Sequence, residues 1–293
     1  MIKLFLPALQ FRILGHDVFR HARPAVLQAG PRALHPRVKA LLERMHDAGV
    51  TVYPIKTYAD LREGTDLLMA IGGDGTFLSA AKRVRDSMIP VVGVNLGRLG
   101  FLSENKPEEV LDSLLSGNYT LEDRTLIETR IYGFDTSSVE GFWPISLNEV
   151  SVHRFGVGMI GIDVSVNGRS LPTYWADGLL VATSSGSTAY SLSAGGPICY
   201  PESKVLLITP IAPHNLNVRP LVVPESTRIG IRLRSRDDKA LLTMDNRTLT
   251  VPSGISLSIS VAQFSLRRIR LTESNFEKAL TSKLFWGEDI RNL

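Results

Sequence analysis

The chain has 293 residues, with 33 Lys or Arg against 29 Asp or Glu, a net charge of +4. At 44% hydrophobic and 21% charged it can bury one large or two medium cores, which excludes a disordered or fibrous chain. No apolar run approaches the ~20 residues that span a bilayer, and the basic residues are spread out rather than gathered in a stripe interleaved with aromatics, so neither membrane nor nucleic acid is expected as a partner.

Residues 1–22 show no clear period. Gln10, Arg12 and His16 interrupt their apolar character and no small-residue cleavage site follows. The lone Cys199 has no sulfur partner for a disulfide or a zinc site. A cytoplasmic protein is expected. A short apolar run at 24–27 precedes Gly30-Pro31. Leu34, Val38, Leu41, Leu42 and Met45 then follow helical spacing up to Gly49. Strands are expected at 50–55, 67–71 and 89–94. A helix over 76–85 carries Phe77, Leu78, Ala81 and Val84 as its apolar stripe. Pro107-Glu108-Glu109 opens another helix, because Pro suits its first turn and acids its positive end, and Gly117 closes it. Alternating strands and helices argue for an α/β domain with a mostly parallel sheet over 1–120.

The texture then changes. Runs at 126–132, 142–152, 157–166, 226–233, 240–244, 255–261 and 264–271 are rich in β-branched residues and punctuated by Asn167-Gly168, Asp245-Asn246 and Ser253-Gly254. They define a β-rich domain over 121–270 with a helical insert at 187–194. A terminal helix, 275–286, lies within a last segment, 271–293, expected to pack back on the first domain.

The sharpest motif is Gly72-Gly73-Asp74-Gly75-Thr76, between a buried strand and a helix. Its glycines admit a close backbone approach, and the helix start offers free N–H groups and a positive dipole end, together an anion cradle. Asp74 is out of place in such a cradle unless it binds a metal or takes a proton. A tight turn capped by Asp74 or Thr76 fits the same residues. The loop Asn95-Leu96-Gly97-Arg98-Leu99-Gly100-Phe101 ends the next strand and is expected to share one crevice with it.

At Asn148-Glu149 the apolar face of the run 142–152 switches, which implies a bulge or an exit into a site. These two side chains suit a diol such as a ribose; an exposed edge strand fits the same pattern. Asp177-Gly178 begins a strand that leads into 183–197, dense in Ser, Thr and Gly. This segment reads as a second anion- or sugar-binding corner, with Tyr190 offering a face to a nucleobase. No hydrolase elbow and no His/Cys metal spacing is present.

Taken together, GGDGTFL at 72–78, NLGRLGFL at 95–102, NE at 148–149, DG at 177–178, GSTAYSLSAGGPI at 186–198 and PIAPHNLNVRPLV at 210–222 resemble the NAD kinase family, over roughly residues 65–290. The resemblance implies an α/β domain followed by a β-sandwich-like domain with the active site in the cleft between them. It implies transfer of the γ-phosphoryl group of ATP, with Mg²⁺, to the 2′-hydroxyl of the adenosine ribose of NAD. Polyphosphate as donor is left open. Asp74 would then be the proton acceptor, and Gly72, Gly73, Gly75 and Thr76 would hold phosphates. NAD would be bound by Asp74, Gly75, Phe101, Asn148, Glu149, Asp177, Thr188, Ala189, Tyr190 and Ser193, with Ala212 contributed by a neighbouring subunit of a homodimer or homotetramer. No metal ligand from the chain is assigned. Two departures stand out: Ser184 where the family often has proline, and Asp245-Asn246-Arg247 where it often has Asp-Gly-Gln. Asn246 would supply the left-handed turn residue, and Arg247 would be free to meet a phosphate. A lipid kinase sharing the GGDGT loop and a non-catalytic dinucleotide-binding regulator are the alternatives.

Overall fold

The computed structural model describes residues 25–28, 35–97, 100–272 and 274–286. The segment 1–22, Pro24, Gly30-Pro31, Leu34, and Arg98-Leu99 of the second glycine-containing loop lie outside them. Two compact units are present, one formed by residues up to Asp123 together with those from Leu266 onward, the other by Arg124–Ser265.

The first unit is built on a six-stranded sheet in the order Tyr53–Pro54, Ala25–Gln28, Leu68–Ile71, Val91–Val94, Leu266–Leu271, Tyr119–Arg124. The first five strands pair in parallel. Leu68–Ile71 and Val91–Val94 are buried at every position, which is why they read as continuous apolar runs rather than alternating ones. Three helices connect these strands. Helix Pro36–Asp47 buries Val38, Leu41 and Met45. Helix Asp74–Val84 buries Phe77, Ala80 and Val84, so Ala80 takes the inward place expected of Ala81. Helix Pro107–Ser116 buries Val110, Leu111 and Leu114 and ends at Gly117, whose φ of 73° is the left-handed cap that glycine adopts without strain.

The run 264–271 differs from expectation. Its composition grouped it with the β-rich part, but from Leu266 it forms a strand in which Arg268 pairs in parallel with Val91 of the first unit. Apolar alternation marks a strand without naming the sheet it joins.

The second unit holds two sheets. One runs Arg169–Ser170, Ile160–Val166, Ile229–Arg234, Ser256–Val261, Ile127–Tyr132, Ile145–Ser146, with Tyr174–Ala176 added against Ile160–Val166. The other runs Leu221–Pro224, Val205–Ile211, Gly178–Thr183, Glu149–Arg154, Lys239–Met244, Arg247–Pro252. Val152, Val181 and Ile208 from the second meet Ile162, Ile231 and Ile259 from the first in one core, as in a sandwich. Asn167 and Gly168, both at positive φ, make the expected two-residue hairpin between Val166 and Arg169.

Candidate active site

In the first unit the phosphate-loop motif occupies the exit of the buried strand Leu68–Ile71. Gly72 has φ 155°, and a Cβ there would stand 2.3 Å from Thr76 Oγ1, so only glycine fits. Gly73 caps the helix and Asp74 is its first residue. Beside Gly73 and Gly75 the space is open, which leaves their backbone accessible.

The Asp74 carboxylate turns away from the loop's own amides and is held by the neighbouring one. Oδ2 accepts from Phe101 N at 2.8 Å, and Oδ1 accepts from Leu102 N at 3.1 Å and Ser103 N at 2.9 Å. Gly100 is required by the same arrangement, since a Cβ there would lie 1.8 Å from Oδ1. The second loop is itself pinned: Asn95 donates to Ser103 O at 3.1 Å and accepts from Gly97 N at 2.6 Å, and Asn105 donates to Gly93 O at 2.7 Å. An ionised carboxylate offers about four acceptor positions. Three are filled here, and Oδ2 keeps one for a ligand. The two glycine-containing loops therefore meet at Asp74. The Phe101 ring faces Phe276, at 6.1 Å between centroids, and Lys283 of the last helix, Phe276–Leu284.

In the second unit, the face switch at Asn148-Glu149 is a change of sheet. Ile145–Ser146 pairs with Ile127–Tyr132 in one sheet. Glu149–Arg154 pairs with Gly178–Thr183 and Lys239–Met244 in the other. The amides exposed at the crossing are gathered by Asp245, which accepts from Leu147 N at 3.0 Å, Asn148 N at 2.8 Å and Glu149 N at 3.3 Å. Asp245, not Asn246, takes the left-handed conformation, with φ 51°. Arg247 is also placed differently from expectation. Its guanidinium donates to the carbonyls of Met244, Trp143 and Ile145 and lies 3.7 Å from Asp245, so it braces the crossing instead of presenting itself to a phosphate.

Asn148 and Glu149 are both buried, yet Asn148 Oδ1 and Glu149 Oε2 have no hydrogen-bond partner. Burial, helped by the Asp245 charge and opposed by a backbone hydrogen bond from Tyr190, pushes the Glu149 carboxyl up to about 8. The carboxyl is therefore mostly protonated at neutral pH. Orphaned, buried polar atoms of this kind are what a hydroxyl-bearing ligand satisfies.

The hydroxyl-rich segment 183–191 is largely self-satisfied. Thr183 Oγ1 donates to Leu147 O, Ser184 Oγ to Pro201 O and Ser187 Oγ to Cys199 O, and Ser191 pairs with Thr209. Its helical part is a 3₁₀ turn, Ser185–Thr188, followed by only four helical residues, Tyr190–Ser193, too short for the dipole-based anion corner expected there. Gly186 packs against the crossing, where a Cβ would stand 2.1 Å from Asn148 O. Ser184 has φ −57°, the angle proline fixes, so this departure leaves the backbone unchanged.

Tyr190 stacks on His153 at 5.7 Å and 13°. Burial pushes His153 down, against the pull of Asp177. Asp177 is paired with Arg154 at 2.8 Å. Thr188 and Ala189 are half-buried beside Tyr190, and Ser193 is exposed. Ala212 is exposed at φ 45°, directly after Val205–Ile211, whose Ile211 O accepts from Asp177 N. Three contributors escaped the sequence reading: Asp245 as an acceptor, His153 behind Tyr190, and Arg154 on Asp177. Of these only Asp245 carried a local signal, as part of a turn pair.

Family models match most of this framework. The one described as the ATP-NAD kinase N-terminal domain matches residues 35–119, and that of the ATP-NAD kinase C-terminal domain matches 147–271. The chain is 40% identical over 265 residues to an NAD kinase of Flavobacterium psychrophilum, covering 88% of this chain and 89% of that one. It is 40% identical over 276 residues to an NAD kinase of Porphyromonas gingivalis, covering 87% and 94%. Among solved structures, yeast NADH kinase complexed with NADH superposes with a TM-score of 0.79 at 24% identity, covering 92% of this chain and 89% of that one. An NAD kinase from Archaeoglobus fulgidus in complex with ATP gives 0.70 at 24% identity, covering 88% and 96%. These two likenesses establish the shared fold.

Proposed function

Because the chain belongs to the NAD kinase family and is an enzyme that phosphorylates NAD, we propose that Asp74 is the proton acceptor of the transfer and that ATP is the donor. The 2′-hydroxyl oxygen of the adenosine ribose forms a bond to the γ-phosphorus. The bond from that phosphorus to the β–γ bridging oxygen breaks, ADP departs, and the hydroxyl proton passes to Asp74 Oδ2. A ribose hydroxyl is a weak nucleophile, and a carboxylate within hydrogen-bond reach of its proton contributes on the order of 10²–10⁴-fold. The open backbone at Gly73 and Gly75, with Gly72 and Thr76 shaping the turn, suits phosphate oxygens at a helix start.

The second unit recognises the dinucleotide. Asn148 Oδ1 and Glu149 Oε2 meet ribose hydroxyls, with Tyr190, Thr188, Ala189 and Ser193 alongside and Asp177 toward the nicotinamide end. The single observation that carries the proposal is the Asp74 carboxylate fixed by three amides with one oxygen position left over. The lipid-kinase and non-catalytic alternatives gain nothing, since orphaned polar atoms call for hydroxyls and a pure binder has no use for a fixed carboxylate at a phosphate loop.

Mg²⁺ is proposed to arrive on the donor's phosphates, whose charge it neutralises. Among the described residues no cluster of three His, Cys, Asp or Glu converges on one point, and Asp74 is mostly taken up by amides. No described helix is long and apolar enough to cross a membrane; a cytoplasmic location is the reading we adopt. We also propose a homodimer or homotetramer, with Ala212 reaching a neighbour's site. In support, Val157, Trp175 and Leu216 are exposed apolar side chains of the second unit, at 98%, 43% and 90%.

Incubation of the purified chain with NAD, ATP and Mg²⁺ should yield NADP. Asp74→Asn should bind NAD and lose most of the rate; an active Asp74→Asn enzyme removes that residue from its role.

A further inference from the structure

The last helix carries a charge that the reaction as described leaves unused. Phe276 and Lys283, seven residues apart, lie on one face of that helix and both meet the Phe101 ring. The Lys283 ammonium sits 3.8 Å from the ring centroid, and the Phe276 ring stands at 6.1 Å, tilted by 48°. The ammonium nitrogen is buried and has no hydrogen-bond partner. An apolar side chain of the same length would cover the ring without the penalty of desolvating a charge, so packing alone does not account for lysine here. Asp74 and Glu104 attract this ammonium and Arg268 repels it. Glu104 is already paired with Arg268, a neighbour within the same unit. Burial pushes Lys283 down to about 8, which leaves it mostly charged at neutral pH.

Phe101 is also the residue whose amide donates to Asp74 Oδ2. A cavity of about 260 Å³, bordered by Gly100, Glu104, Asn105 and Ser282, adjoins this contact, so the loop has space to move into once its ring is released. We propose that Lys283 is a positioning residue for phosphoryl transfer: by gripping the Phe101 ring from the last helix it keeps the amides of 101–103 in place and so keeps the Asp74 carboxylate aimed. This rests on the reading of Asp74 as proton acceptor.

The test uses the full chain with Lys283→Met, Lys283→Arg, Asp74→Asn and the Lys283→Met/Asp74→Asn pair. Lys283→Met lowers kcat on the order of 10-fold while KM for NAD and for ATP stays within about twofold, since alignment and not binding is lost. Lys283→Arg, which keeps the cation over the ring, recovers most of the rate. In the Asp74→Asn background Lys283→Met causes no further loss, because both act on one carboxylate. Amide hydrogen exchange at 101–103 reads the same grip without turnover, and it quickens in Lys283→Met but not in Lys283→Arg. Unchanged kcat and exchange in Lys283→Met beside an inactive Asp74→Asn overturn the role of Lys283 alone. A loss that Arg does not rescue, or one that adds fully to Asp74→Asn, also overturns it. An active Asp74→Asn enzyme removes the reading on which it rests.

Discussion

Glu149→Gln tests the electrostatics of the sheet crossing in the second unit. The wild-type carboxyl is 8% exposed and has its protonation midpoint moved from 4.5 to about 8, by burial first and by the Asp245 charge second. Below 4.5 the native and unfolded chains both hold the proton. Between 4.5 and about 8 only the native state holds it, so stability falls as pH rises, by about 1.4 kcal/mol per pH unit at most. Above that window both states are ionised and the loss is complete, at about 5 kcal/mol as an upper figure. Glutamine has the same shape and cannot ionise. Urea midpoints of the two proteins, compared from about pH 5 to about pH 9, should therefore diverge steadily, with the variant gaining on the wild type as pH rises. Titrating groups that do not interact with Glu149 cancel in that difference. Parallel stability curves across the window would refute a protonated, desolvated Glu149.

Gly100→Ala puts a methyl 1.8 Å from the present Asp74 Oδ1 position; steady-state kinetics should show kcat reduced on the order of 10²-fold by misplacement of the carboxylate, with NAD still bound. Gly186→Ala meets Asn148 O at 2.1 Å; it should cost about 1–3 kcal/mol of stability and raise KM for NAD, as read by thermal melts and initial rates. Asp245→Ala strips three amides of their acceptor and leaves Arg247 buried without its carboxylate; urea unfolding should report a loss of about 3–5 kcal/mol. A melt unchanged by that substitution would show that the amides find water in its place.

What the sequence made legible was local. Leu68–Ile71 followed by three glycines in four positions announces a buried strand feeding a tight glycine turn into a helix, because both signals lie within a dozen residues. The break in alternation at Asn148-Glu149 was visible too, but its cause was not: the change of sheet is fixed by Asp245, some hundred positions away, and no spacing rule links the two. Val205–Ile211 received no strand in the sequence reading; it is a strand of the second sheet, where its Pro210 pairs with Leu179 near the strand's end and a missing donor matters least. The strand Leu266–Leu271 was recognised as a strand and given to the wrong sheet, since parallel pairing with Val91 leaves no mark on its composition. Lys283 was invisible for the same reason: its meaning lies in the ring it covers.

The two units share one device, and the difference between its two uses bears on the role proposed for Asp74. In each, a single aspartate collects three consecutive amides of a distant segment: Asp74 those of 101–103, Asp245 those of 147–149. Asp245 lies 3.7 Å from the Arg247 guanidinium, in a turn between two strands, with its side chain buried. Its carboxylate is enclosed by the segment it braces, so its work is to hold Asn148 and Glu149 still. Asp74 begins a helix, stands between two glycines with open space beside them, and is only half-buried. Its fourth acceptor position faces no protein donor among the described residues. A carboxylate fixed beside open space can meet a ligand's proton, whereas one fixed and enclosed cannot. That contrast supports the proposed role of Asp74 as proton acceptor and leaves the framework to Asp245.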